Sequence, residues 1–235
     1  MTKETILSIN LFILSFLALS INSSVWADSI NPGVFSIDSK PYGLTYEQWG
    51  VKYWQWSVSL PKDKNPLNDN TGEKCASGQS GPVWFITGIA GGGSVTRLCT
   101  IPNDKAILIS VAGNSCSYLE NPTYKTESEL RNCAINGNRV SSLEVTVDGT
   151  KIKDLQKYHV TSNLYSENIT KNNPWEAPDG PTQAVYDCYC LMLEPMSPGN
   201  HTIKFSQTTL DPNTLLPHYA YDVTYLIRTS APTGS

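Results

Sequence analysis

Apolar positions recur along this chain with two periods, and the change of period divides it. Between residues 46 and 60, Trp49, Tyr53, Trp56 and Leu60 fall at helical spacing and form one apolar face, with Tyr46, Trp54 and Val58 elsewhere on the cylinder. Local signals frame this helix. Thr45 can cap it, Gln48 can close a capping box three residues later, Leu44 can staple onto Trp49, and Pro61 stops the run. The pattern predicts a helix over 46–59, with Trp54 free to reach outward.

Downstream the period shortens to two. Val83 to Thr87 and Ala106 to Val111 are runs of the length and composition of buried strands. Leu143 to Val147 alternates and meets Asp148-Gly149, the dipeptide a tight hairpin needs for positive φ, so a return strand is expected at Thr150 to Ile152. His201 to Phe205 alternates after Pro198-Gly199, and Tyr219, Tyr221, Val223, Tyr225 and Ile227 line one face of a long final strand. Gly91-Gly92-Gly93 lacks the spacing and the following Lys-Ser/Thr of a phosphate cradle, and reads as a hairpin loop joining 83–89 to 95–100. The expected fold is mainly β: an antiparallel β-sandwich or jelly-roll-like domain with one short N-terminal α-helix. One disulfide-stapled domain is expected over 28–229, with a small-residue tail at 230–235.

The first 27 residues stand apart. Lys3, the apolar stretch Ile6 to Leu19 and Val25-Trp26-Ala27 have the layout of a cleavable signal peptide. All six Cys follow it, and their even number fits three disulfides formed in an oxidising compartment. The protein is therefore expected to be secreted or extracytoplasmic, free or associated with the cell surface; the competing reading keeps the signal as an anchor. After signal cleavage no apolar stretch approaches the ~20 residues of a transmembrane helix. The formal net charge is −4 and no Lys or Arg run occurs, so nucleic acid is not an expected partner.

A hairpin turning at the glycines would bring Cys75 and Cys99 together. Cys116 and Cys133 bracket a loop in which Thr126, Glu129 and Leu130 suggest a capped helical turn. Cys188 and Cys190 share one face of a strand about 6.6 Å apart, at the upper edge of disulfide Cα spacing. A bond between them requires local distortion; a partner chain, a redox role and a soft metal stay open as alternatives.

The blocks Trp49-x-x-x-Tyr53-Trp54-x-Trp56, Asn65-Pro66, Asp69-x-Thr71-Gly72, Gln79-x-Gly81-Pro82-Val83-Trp84-Phe85 and Cys99-x-Ile101-Pro102 resemble those of a family of uncharacterised secreted proteins of archaea and bacteria. Gly180-Pro181-Thr182-Gln183 and Pro195-x-Ser197-Pro198-Gly199-x-His201 look like its later blocks. The resemblance covers most of the chain beyond the signal and implies no activity. Cys188 and Cys190 depart from its pattern, which carries a glycine and an aromatic there.

The aromatic content, which includes 12 Tyr and six Trp, offers flat faces for a core or for sugar rings. Trp49, Trp56 and Trp84 are assigned to the core. Trp54, off the main helix face, and Trp175, between Pro174 and Pro178, are the expected ligand platforms. Residues 63–73 concentrate oxygen-bearing side chains, and Asp63, Asn68, Asp69 and Glu73 are the candidate ligands if calcium binds; the spacing is not that of an EF-hand and the same residues build ordinary turns, so no cofactor is the primary expectation. For catalysis, His159, His201 and His218 stand apart from one another and from a nucleophile. No H-E-x-x-H, G-x-S-x-G or C-x-x-C occurs. Glu120, Glu176 and Asp187, with Asp222, are the carboxylates from which a glycosidase pair could be drawn. Asn168 and Asn200 begin glycosylation sequons. The combined reading is an exported, non-catalytic binding or cell-surface module whose partner is an extracellular glycan or surface component. A secreted polysaccharide-active hydrolase is the first alternative and a structural cell-envelope component the second.

Overall fold

A computed structural model describes Asn31 and residues 33–231. The expected signal and the last four residues of the expected tail lie outside the described residues. The described chain forms ten strands and two α-helices, with the strands in two five-stranded sheets.

The first sheet runs in the order β1 (Val83–Ile86), β3 (Ala106–Ser117), β8 (Gly180–Leu193) and β6 (His159–Thr161), and β7 (Tyr165–Ile169) also pairs with β8. The second runs β2 (Gly93–Pro102), β10 (Pro217–Ser230), β9 (Gly199–Leu210), β4 (Val140–Val147) and β5 (Thr150–Lys151). β10 extends one residue into the expected tail. The architecture is sandwich-like, but both sheets are mixed, which corrects the antiparallel expectation. β1 lies parallel to β3 and β2 parallel to β10.

The expected hairpin between β1 and β2 does not form, because the two strands belong to different sheets. Gly91, Gly92 and Gly93 all hold positive φ and carry the chain across from one sheet to the other. The burial of the strands fits this division. β1 is buried at every position, as a strand covered on both faces must be, whereas β2 alternates between exposed and buried positions along its second half. The Asp148-Gly149 hairpin forms as expected: both residues are at positive φ, and Val147 pairs with Thr150.

Helix α1 (Tyr46–Ser59) has its full capping box, with the Thr45 hydroxyl accepting from the Gln48 amide and the Gln48 side chain accepting from the Thr45 amide. It packs on β7, β8 and β6 of the first sheet, while β4 and β9 lie against β3. Trp49, Tyr53 and Trp56 are core residues, as their spacing requires. Tyr46 and Val58 are buried too, beyond the single expected face, because α1 is flanked on further sides: the Tyr46 hydroxyl donates to the Phe35 carbonyl, and the Val58 carbonyl accepts from Thr170. The capped turn at Thr126 is a whole helix, α2 (Glu127–Gly137), so the expectation of one helix is corrected to two. Leu130 and Ala134 of α2 form a small second core with Cys116 and Val185.

Three disulfides staple these elements. Cys75 pairs with Cys99 and Cys116 with Cys133, with Cα separations of 5.9 and 6.0 Å. The first is the expected pair reached by a different route. No hairpin delivers it; instead the loop at Gly72 runs against β2, where Leu98 donates to the Thr71 carbonyl. Gly72 sits at φ +99°, and a Cβ there would lie 1.9 Å from the Leu98 carbonyl oxygen, so only glycine permits the approach. Cys188 and Cys190 bond to each other at a Cα separation of 5.4 Å. The distortion this requires shows in that separation, shorter than the ~6.6 Å of a regular strand, and opposite Cys190 and Tyr189 the partner strand β3 bulges between Ser110 and Ala112. Gly50 of α1 lies over this disulfide, its absent side chain leaving 3.2 Å from a Cβ position to the Cys188 sulfur.

Candidate functional site

A cleft of about 400 Å³ opens where both sheets, α1 and the loop at Trp175 converge. Its walls come from elements far apart in sequence. α1 contributes Tyr53, Trp54 and Ser57, β3 contributes Ser110, Ala112, Gly113 and Asn114, β8 contributes Tyr186, β9 contributes Gln207, and β10 contributes Tyr219 and Tyr221. The volume falls within the range of small-ligand sites.

The two Trp residues singled out as platforms meet here. Trp54 stacks on Tyr186 with ring centroids 5.0 Å apart and 22° between planes, and Trp175 leans on Trp54 at 4.8 Å. Trp54 is partly buried against the core, while Trp175 is 39% exposed at the rim. The rim loop is held without burying that ring. Asn173, itself buried, donates to the carbonyls of Thr170 and Ala177 and accepts from the amides of Trp175 and Ala177.

The cleft phenols present their rings and not their hydroxyls. Tyr53 donates to Thr87 Oγ1 at 2.8 Å, Tyr186 is bonded to Ser110 Oγ at 2.8 Å, Tyr221 donates to the Val111 carbonyl and Tyr219 to the Ile89 carbonyl. Burial pushes all four phenols up from their ordinary value, so they stay neutral. By contrast, Ser57 Oγ, Gln207 Oε1 and the Trp54 indole nitrogen are buried and make no hydrogen bond of regular geometry. Ser57 and Gln207 are 0% and 3% exposed. Buried polar atoms are normally paired, so these three stand out in the wall of the cleft. No carboxylate is among the described lining residues, and His218 is the only imidazole there. The arrangement suits a neutral ligand with flat faces and hydroxyl groups.

The remaining sequence candidates lie elsewhere. Asp187 is fully buried and saturated: Asn138 Nδ2 donates to it at 2.7 Å, Thr161 Oγ1 at 2.6 Å, and His159 Nε2 lies 2.8 Å away. Glu176 is exposed and paired with Lys62 at 3.1 Å, and Asp222 is exposed on β10. Glu120 is exposed and accepts from the Ser117 hydroxyl at 2.7 Å. In the 63–73 loop, Asp69 is occupied by its own turn, its carboxylate accepting from the amides of Thr71 and Lys74 and from the Thr71 hydroxyl. Asp63 and Glu73 are exposed, and Asn68 Oδ1 is buried without a partner. Among the described residues no group of three or more His, Cys, Asp or Glu is placed to hold a metal ion. Asn168 and Asn200 are both exposed.

Sequence reasoning passed over Glu167. It is 7% exposed on β7, with Oε2 accepting from the Tyr165 hydroxyl at 3.0 Å and Oε1 unpartnered. Burial pushes its carboxyl up to about 7, with the Tyr165 and Trp54 donors opposing and the Glu120 charge adding to the rise. Its only sequence signal was inward placement on the Tyr165-x-Glu167-x-Ile169 face of a strand too short to stand out by periodicity.

Comparison with known proteins brings no relative: no protein-family model matches the chain, and no curated protein matches it.

Proposed function

We propose that the protein is an exported, non-catalytic binding module that holds a neutral polyhydroxylated ligand, a carbohydrate, in the cleft between Trp54, Trp175 and the two sheets. One observation carries this reading. The cleft offers aromatic faces whose hydroxyls are all spent within the protein, beside the lining residue Gln207, whose side-chain oxygen has no partner within the protein. A sugar ring combines those two features, apolar C–H faces and a girdle of donors. The carboxylates a hydrolase would use stand outside the lining, which favours binding over turnover.

Screening the mature protein on a glycan array, followed by calorimetry on the strongest ligand, tests the reading. Trp175→Ala should weaken binding by about 1–3 kcal/mol, taking base stacking as the guide, and Gln207→Leu should weaken it as well. Absence of binding to any glycan, or binding indifferent to both substitutions, overturns the assignment. Turnover of chromogenic glycosides lost on Glu120→Ala or Glu167→Gln would favour the hydrolase instead.

A further inference from the structure

We propose that Glu167 is a positioning residue for the cleft, holding the indole of Trp54 in a way that depends on the proton carried by its own carboxyl group. The binding consequence rests on the cleft reading above; the positioning itself does not. Two orphaned polar atoms stand behind the cleft wall, the Trp54 indole nitrogen and Glu167 Oε1, each buried and lacking a hydrogen bond of regular geometry. They face one another closely enough for the indole to work against the burial of the carboxylate. α1 and β7 are locked together at this point, since Gln55 of the helix donates to the Ser166 carbonyl at 2.8 Å. Trp54 therefore has Tyr186 and Trp175 against its ring, and its N–H is a donor towards Glu167.

The surroundings of Glu167 leave few other titrating groups. From its own strand comes Tyr165, whose phenol burial pushes well above its ordinary value, so it remains a donor. From the turn after β3 come the Glu120 carboxylate, which disfavours ionisation of Glu167, and the Tyr118 phenol, which lines the same groove. β8 opposite presents Pro181, Thr182 and Gln183, none charged, and α1 presents Trp54. An ionised carboxylate is a stronger acceptor than a neutral one. As the proton leaves, the indole N–H is drawn onto Oε1 and the ring is fixed; with the proton on, that hold weakens. Glu167 ionises near neutrality, so the wall of the cleft tightens as pH rises from about 5.5 to 8.

Indole N–H correlation spectra of the ¹⁵N-labelled full domain test this without any ligand, with the Trp54 signal assigned by its loss in Trp54→Phe. That signal should titrate between pH 5 and 9, while the Trp84 indole should not move. Glu167→Gln should abolish the titration, and Tyr165→Phe, which removes the carboxylate's other donor, should move its midpoint to higher pH. Calorimetry with cellohexaose should show binding tighter at pH 8 than at pH 5.5 by on the order of fivefold, the worth of one strengthened hydrogen bond, and flat in Glu167→Gln; His218→Gln should leave the profile unchanged. A Trp54 signal flat across the range, or a titration that survives in Glu167→Gln, overturns the proposal. Titration of Trp54 without binding of any sugar sustains the positioning role and removes the carbohydrate reading.

Discussion

The same buried carboxyl makes a prediction about folding, with a sign that can be worked out. Glu167 ionises at about 7 in the folded chain against an ordinary 4.5, because burial disfavours its charged form. Folding is therefore linked to proton uptake between those values. Below 4.5 the group is neutral in both states and costs nothing. Above 7 it is charged in both, and the folded state carries the whole penalty of burying the charge, about 3 kcal/mol at ~1.4 kcal/mol per pH unit. His201 acts in the same direction. Burial lowers its value, but the hydrogen bonds to Asp148 and the Ser197 carbonyl outweigh this and leave it raised above 6.5. Its contribution is complete below 6.5 and is lost as pH rises through the folded value. Asp69 opposes them only in strong acid. Burial raises its value, the amides of Thr71, Lys74 and Gly72 outweigh that, and the net lowering from 3.8 removes stability as pH falls through the folded value. Stability should accordingly be greatest near pH 4.5, decline steadily as pH rises to about 7, and fall further above that only through His201. For a domain of this size about 3 kcal/mol corresponds to roughly 6–12 °C in Tm. Calorimetric melts at intervals from pH 4.5 to 8.5 read the curve directly. Glu167→Gln keeps the shape and an acceptor for Tyr165 while removing the charge, so it should flatten most of the decline, melting above the wild type at pH 8 and close to it at pH 5. A wild-type Tm that is constant or rising from pH 5 to 8 would refute this reasoning, as would a mutant offset that does not change with pH.

Two further outcomes follow from packing. Trp56 is 7% exposed, donates to the Ser77 carbonyl at 2.9 Å and packs on Tyr53 and Phe85, so Trp56→Ala should cost about 3–5 kcal/mol in denaturant titration; in the same titration Trp175→Ala, at the exposed rim, should change stability by less than about 0.5 kcal/mol. The Cys116–Cys133 disulfide closes a separation of 17 residues over the small core beneath α2, and Cys116→Ser with Cys133→Ser should lower stability by about 3 kcal/mol without unfolding the main sheets, as amide exchange confined to α2 and the end of β3 would show.

Local chemistry was legible wherever neighbours in sequence are neighbours in space. The α1 boundaries follow from Thr45, Gln48 and Pro61, and the β4–β5 turn follows from Asp148-Gly149, because a cap or a tight turn is decided within four or five residues. Sheet order is different. Whether β1 returns on β2 or crosses to another sheet depends on what covers each face, and the only trace of that in the sequence is the contrast between the unbroken run Val83 to Ile86 and the alternation along β2. Only the Cys188–Cys190 stretch of β8 is legible as strand, and its full extent is hidden for a related reason. As the central strand of the first sheet it is covered on both sides, so its inward positions include Asp187 and the two cysteines, and its period-2 signal disappears.

The cleft was half legible, and the division has a physical cause. Trp54 and Trp175 could be singled out because an aromatic off a helix face or in a proline-flanked loop lacks a local place to be buried. What turns them into a site is invisible to such reasoning. Ser57 and Gln207 are unremarkable as residue types; they matter because α1 and β9 converge and leave their oxygens without partners. Glu167 is the sharper case, since a carboxylate on a short strand reads as surface. It becomes a titrating group only when Tyr165, Trp54 and Glu120, from three separate elements, close around it. An orphaned atom is a relation between distant segments, so it belongs to the fold and not to any stretch of the chain. In this protein the Trp54 indole nitrogen, Ser57 Oγ and Glu167 Oε1 are such atoms, contributed by α1 and β7 to the wall shared by the aromatic cleft and the buried acid behind it.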